Sequence, residues 1–212
     1  MYNSYWTINL IPQFTKPIWL DREAVSGTTC ANALAAVTSS PSAYAPSQAL
    51  GYGPIGSLYS SGNTVAQFYN PLRRVQVVSL GCGTNDYQGG VPASTTIANI
   101  QSWAMAVRAA APNAKIVIQT VPDRGTMSSG GGYTWKNTVN AAILALVGGN
   151  VSVVDLTSTV LGCDGCATNT MYFNSDQIHF SGTNGVPPDA NNNGIVVQGN
   201  NWLPVMQAAG IQ

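Results

Sequence analysis

The sequence predicts an α/β fold with a mainly parallel central sheet. Short β-branched runs alternate with longer amphipathic stretches along most of the chain. The clearest run, Val75-Gln76-Val77-Val78-Ser79-Leu80, is nearly continuous in apolar residues, as a strand buried on both faces must be. It runs into Gly81-Cys82-Gly83-Thr84-Asn85-Asp86, a glycine-rich turn at the carboxyl end of a strand, where open α/β sheets place their chemistry. A chain of 212 residues can build one sizeable core. No internal repeat or domain boundary is visible, so residues 1–212 are expected to form a single domain.

The elements follow in order. Residues 4 to 15 place Trp6, Leu10 and Phe14 at helical spacing, interrupted by Pro12 and stopped by Pro17. Ile18-Trp19-Leu20 reads as a short buried strand. Glu23 to Thr29 is a loop whose Gly27 suits a backbone conformation closed to other residues, and Thr28 or Thr29 caps a helix through Ala31, Leu34, Ala35 and Val37. Residues 38 to 64, rich in Ser, Gly, Pro and Tyr, form a long surface excursion of a length that points to function or motion. A helical patch from Thr64 to Tyr69 leads to the strand at 75–80. Residues 95 to 111 form an amphipathic helix with Ile97, Ile100, Ala104 and Val107 on one face, closed by Pro112 and Asn113. Lys115 to Val121 is the next strand, followed by a glycine-rich loop from Asp123 to Gly132. A helix carrying Val139, Ile143, Leu144 and Val147 ends at Gly148-Gly149, and Val151 to Leu156 is a further strand. Pro187-Pro188 and Asn191 to Gly194 form a polar loop before a short terminal helix, Trp202 to Ala209.

Composition narrows the function classes. Charged residues make up 8% of the chain, against roughly 25% in an ordinary soluble protein, and the net charge is zero. That excludes the electrostatic footprint of a nucleic-acid binder or of a protein held to an anionic membrane. No apolar run reaches the ~18 residues of a membrane span. The surface is instead expected to be neutral and polar, which suits an extracellular protein handling carbohydrate. The chain does not open on a basic-then-apolar signal segment, so export implies a signal removed or lying upstream of Met1.

Four cysteines, Cys30, Cys82, Cys163 and Cys166, allow three pairings if all are oxidised. Cys163-Asp-Gly-Cys166 has the spacing of a local disulfide loop, a redox pair or half a metal site. There is no second C-x-x-C and histidine occurs once, which argues against zinc. The redox reading wants a thioredoxin-like strand-to-helix junction that the surroundings do not offer. The favoured reading is a local disulfide in an exported protein. No metal or organic cofactor is called for.

The single histidine, His179, stands three residues after Asp176 in Asn174-Ser175-Asp176-Gln177-Ile178-His179-Phe180. Histidine both takes and gives a proton near neutrality. A carboxylate one short turn away can fix its tautomer and leave the far nitrogen as base. The same pattern also describes a surface histidine beside a solvated aspartate, so the rest of the chain decides between the two.

Three stretches, in order, resemble the SGNH (GDSL-type) hydrolase family. Val25-Ser26-Gly27-Thr28-Thr29 is similar to its second block, Gly83-Thr84-Asn85-Asp86 matches its third block G-x-N-D, and Asp176-Gln177-Ile178-His179 matches its fifth block D-x-x-H. The resemblance spans essentially the whole chain. It implies a three-layer, flavodoxin-like α/β sandwich and a serine esterase. The Gly27 backbone N–H and the Asn85 amide would then be oxyanion donors, with His179 the general base and Asp176 its orienter. The bland readings are a turn glycine at 27 and a turn or strand-end asparagine at 85.

One block departs from the family. The sequence contains no G-D-S, the first block that carries the nucleophilic serine. Three accounts fit. The serine and a strand before it lie upstream of Met1, Ser4 near the start of the helix at 4–14 replaces it, or the chain is a non-catalytic relative that binds glycans or serves a structural role. In the first account the edge of Val75–Leu80 has to be covered by the amino-terminal segment or by another molecule. The expected substrate is a short-chain acyl ester, with acetyl groups on carbohydrate favoured. Tyr52, Tyr59, Tyr87, Tyr133, Trp135 and Tyr172 are candidate sugar-stacking rings, although half-buried packing is the commoner fate of such side chains. A C-x-x-C oxidoreductase, the remaining alternative, would require free thiols at Cys163 and Cys166.

Overall fold

The computed structural model describes residues 27–38, 76–182 and 193–211. Among these residues, α1 (Cys30–Thr38) precedes the strand β1 (Val77–Leu80), which leads into the short helix α2 (Thr84–Gln88) and the long helix α3 (Ala93–Ala110). Then come β2 (Lys115–Gln119), α4 (Gly132–Leu144), β3 (Val151–Val154) and, near the carboxyl end, α5 (Gly194–Ala208). The strands form a parallel sheet in the order β1-β2-β3, with Val78 opposite Ile116 and Ile118 opposite Val153.

The central strand explains the layering. Successive side chains of β2 point to opposite faces. Ile116 and Ile118 enter a core shared with α1, α3 and α4, while Val117 enters a second core with Leu156, Leu161, Phe173 and Trp202 of α5. Helices therefore cover both faces of the sheet, as the α/β reading requires. The largest single contribution comes from α3, whose Ile100, Trp103, Ala104 and Val107 are all buried at helical spacing. Each of the larger side chains contributes about 1.5–3 kcal/mol on removal from water.

The three strands expected around 75–80, 115–121 and 151–156 are present, each shorter than its apolar run. Two helices differ from the sequence reading. On α4 the buried face carries Gly132, Lys136, Val139, Asn140 and Ile143, whereas Leu144 is partly exposed and Val147 lies beyond the helix and is 60% exposed. The stripe is half polar because each polar group has a partner. Asn140 forms a two-pronged pair with the Val121 backbone (2.7 and 3.0 Å), which satisfies both backbone groups just past the end of β2. Helix α5 begins eight residues earlier than expected, at Gly194 rather than Trp202. Asn193 caps it, its side-chain oxygen accepting from the N–H groups of Ile195 and Val196 at 3.1 Å each, and an exposed Pro204 sits inside it.

The cysteines pair as Cys30–Cys82 and Cys163–Cys166. The local loop expected at 163–166 is thus a disulfide rather than a free dithiol. Among the described residues no helix is long and apolar enough to cross a membrane. The features expected at 4–15, 18–20, 39–69 and 187–192 lie outside the described residues, as does whatever neighbours β1 from residues 1–26.

Candidate active site

Asp176 and His179 sit at the tip of a short antiparallel excursion. Phe173 and Phe180 face each other across it as an isolated bridge, with their rings edge-on at 5.3 Å. The Asn174 N–H donates to the His179 carbonyl and the Ser181 N–H to the Tyr172 carbonyl, at 2.8 and 2.9 Å. Within the turn, Gln177 adopts the left-handed conformation (φ 56°), which folds the chain back over the aspartate. Asp176 Oδ1 accepts from the Ile178 and His179 N–H groups at 2.9 and 3.0 Å, and Oδ2 lies 2.7 Å from His179 Nδ1. Partial burial alone would raise the Asp176 pKa, but the bonds from the imidazole and from these two amides outweigh it and hold the carboxyl below its usual 3.8. An ionised carboxylate at Nδ1 assigns the hydrogen to that nitrogen and the basic lone pair to Nε2.

The second cluster joins two segments far apart in sequence. Thr29 caps α1, its hydroxyl accepting from the Asn32 N–H while the Asn32 side chain accepts from the Thr29 N–H. Gly27, just before it, has φ +80°, in the left-handed region that favours glycine. The Asn85 amide nitrogen donates to the Thr28 carbonyl at 3.0 Å, so the Gly27–Thr28 loop and Asn85 are in direct contact. The Cys30–Cys82 disulfide spans the same two segments, and the Cys30 N–H donates to Asp86 Oδ2 at 2.9 Å. Asp86 is fully buried, and desolvation raises its pKa against the opposing hydrogen bond from the Cys30 N–H. Gly83 lets α2 approach β2, because a Cβ there would meet Val121 at 2.5 Å.

The site residues expected from sequence thus fall into two pairs, Gly27 with Asn85 and Asp176 with His179, and Ser4 lies outside the described residues. Sequence reasoning missed Arg124. Its guanidinium, 5% exposed, donates from Nη1 to the Thr84 carbonyl and from Nε to Thr126 Oγ1, both at 3.0 Å. Burial lowers the Arg124 pKa, and the negative charge of Asp176 opposes that shift. Arg124 bonds the segment that carries Asn85, and the N–H of the next residue, Gly125, bonds the Gln177 carbonyl of the Asp176–His179 turn. The one hint in the sequence is its place in the loop after β2, a site-forming position in α/β sheets.

Nearby, the fully buried Lys136 bridges Asp123 (3.3 Å) and Asp164 (2.9 Å) and donates to the Gly162 carbonyl at 2.7 Å. This braces the Cys163–Cys166 loop against α4. The candidate sugar-stacking rings are mostly committed to packing. Tyr87 and Trp135 pack on each other at 5.5 Å and on the first core together with Tyr133, and Tyr172 packs on the second. Tyr52 and Tyr59 lie outside the described residues. Among the described residues no three His, Cys, Asp or Glu side chains gather as a metal-ligand set.

Comparison with known proteins gives one family. A model of the GDSL-like Lipase/Acylhydrolase family matches residues 15–183, a span that contains Gly27, Asn85, Asp176 and His179. No curated protein and no solved structure matches the chain significantly.

Proposed function

The chain belongs to the GDSL-like lipase/acylhydrolase family, and from that premise we propose that it is a serine esterase cleaving short-chain acyl esters, with acetyl groups on carbohydrate as the favoured substrate. The observation that carries this reading is the 2.7 Å contact between His179 Nδ1 and an Asp176 carboxylate held in its ionised form. His179 Nε2 takes the proton from a serine hydroxyl as its oxygen attacks the ester carbonyl. The carbonyl oxygen becomes an oxyanion, accepting from the Gly27 N–H and the Asn85 amide. Asn85 carries two amide hydrogens. The Thr28 carbonyl takes one and so fixes the plane of the group, and the other serves the oxyanion. As the intermediate collapses, the ester C–O bond breaks and the imidazolium returns its proton to the departing alcohol. Water then repeats the sequence on the acyl-enzyme. Asp176 stays ionised throughout, orienting the ring and stabilising its charged form.

The neutral, charge-poor composition favours an uncharged polar alcohol such as a sugar hydroxyl over a charged partner. Two disulfides favour an exported protein. The test is labelling with a fluorophosphonate probe, followed by peptide mapping of the modified residue, on the native chain and its His179→Ala variant. One labelled serine, lost in the variant, is expected and would identify the nucleophile directly. Absence of label in both proteins would overturn the reading for residues 1–212 and favour either a serine outside them or a non-catalytic glycan-binding relative.

A further inference from the structure

The oxyanion cluster and the acid–base turn come from different parts of the chain, and residues 123–125 run between them. At one end of this segment the Asp123 N–H donates to the Leu161 carbonyl, and at the other the Gly125 N–H donates to the Gln177 carbonyl at 2.9 Å. The second bond grips the acid–base turn at its left-handed residue. It requires close approach, since a Cβ on Gly125 would collide with the Gln177 side chain. Between these anchors Arg124 reaches the other way, to the carbonyl of Thr84, the residue directly before Asn85. Its second bond, to Thr126, fixes the guanidinium plane.

We propose that Arg124 is a positioning residue that sets the distance and register between the Asp176–His179 pair and the Asn85 donor. This rests on the esterase roles assigned above. Its backbone neighbour holds the turn and its side chain holds the oxyanion segment. A lysine cannot reproduce this, because a single ammonium lacks the rigid fork that serves two acceptors at fixed angles. Geometry of this kind matters to rate more than to binding, since a misplacement on the order of 1 Å between base and oxyanion donors can cost about a hundredfold.

The test compares the native chain with Arg124→Met and Arg124→Lys. One readout is kcat and KM on p-nitrophenyl acetate. The other is the NMR signal of the His179 ring, unambiguous because the chain has one histidine. Arg124→Met is expected to lower kcat by about a hundredfold with little change in KM, and to shift or broaden the His179 ring signals while the thermal transition stays cooperative. Arg124→Lys is expected to recover part of both, and it carries the test if the methionine variant fails to fold. Unchanged kcat and unchanged His179 signals in a folded variant would overturn the proposal. If the native chain shows no turnover, residues 1–212 lack a working nucleophile whatever Arg124 does, and the ring signals still decide whether Arg124 positions the turn.

Discussion

The two halves of the site are held in opposite ways. The Gly27–Asn85 corner joins segments 52 residues apart through a disulfide, the bond from the first N–H of α1 to the buried Asp86 and the Asn85–Thr28 bond. The acid–base turn is local, with Asp176 and His179 three residues apart, 43% and 35% exposed in their side chains, and held by hydrogen bonds inside one hairpin-like excursion. The difference suits the roles proposed for each half. Oxyanion donors help only if their dipoles are fixed before charge develops. A base needs the right partner at its far nitrogen and access to the atoms between which the proton moves.

The two aspartates show the same contrast electrostatically. Asp86 is raised by burial, so the fold prefers it protonated. Its contribution weakens stability as pH rises from the unfolded value near 3.8 through the higher folded one. Asp176 is lowered by its hydrogen bonds. Its contribution is fully present above about 3.8 and is lost as pH falls through the lower folded value.

Substitutions can break this comparison in graded steps. His179→Ala should have the largest effect, lowering kcat about 10^4-fold or more with the melting temperature nearly unchanged, because the turn is exposed and its backbone bonds survive. Asn85→Ala should cost about 10^2–10^3-fold in kcat and, unlike the histidine change, should also lower the melting temperature, because the Thr28 tie is lost. Replacing Cys30 and Cys82 together by Ala should destabilise the fold by about 2–4 kcal/mol in chemical denaturation. The His179 ring signals should stay in place, since the disulfide does not touch the acid–base turn. Asp86→Ala should cost about 1–3 kcal/mol, as it strands the Cys30 N–H inside the protein. Smallest of all in stability, Asp176→Asn should flatten the acid limb of the stability–pH curve by lowering stability at neutral pH, where the native contribution is fully present, while leaving stability in strong acid unchanged.

What was legible beforehand divides along a similar line. The strands and α3 could be read because β-branched runs and the Ile100-Ala104-Val107 stripe report burial through apolarity alone. The Asp176–His179 pair was legible because its partners are close in sequence. Lys136 and Asn140 were not, because a buried polar residue looks like a surface one until its partner is known, and their partners arrive from other elements. Arg124 was hidden for the same reason. The helix was carried on to Gly148-Gly149 because apolar residues continue past the end of α4 to Val147, and α5 was begun too late because Asn193 was read as part of a polar loop and not as a cap.

The central claim is that these two differently built halves act on one reacting ester. It is tested most directly by steady-state hydrolysis of p-nitrophenyl acetate by the native chain, by His179→Ala and by Asn85→Ala. The account predicts turnover in the native chain, near-complete loss without His179, and a smaller loss without Asn85 that falls on kcat. Equal rates in all three proteins would contradict it.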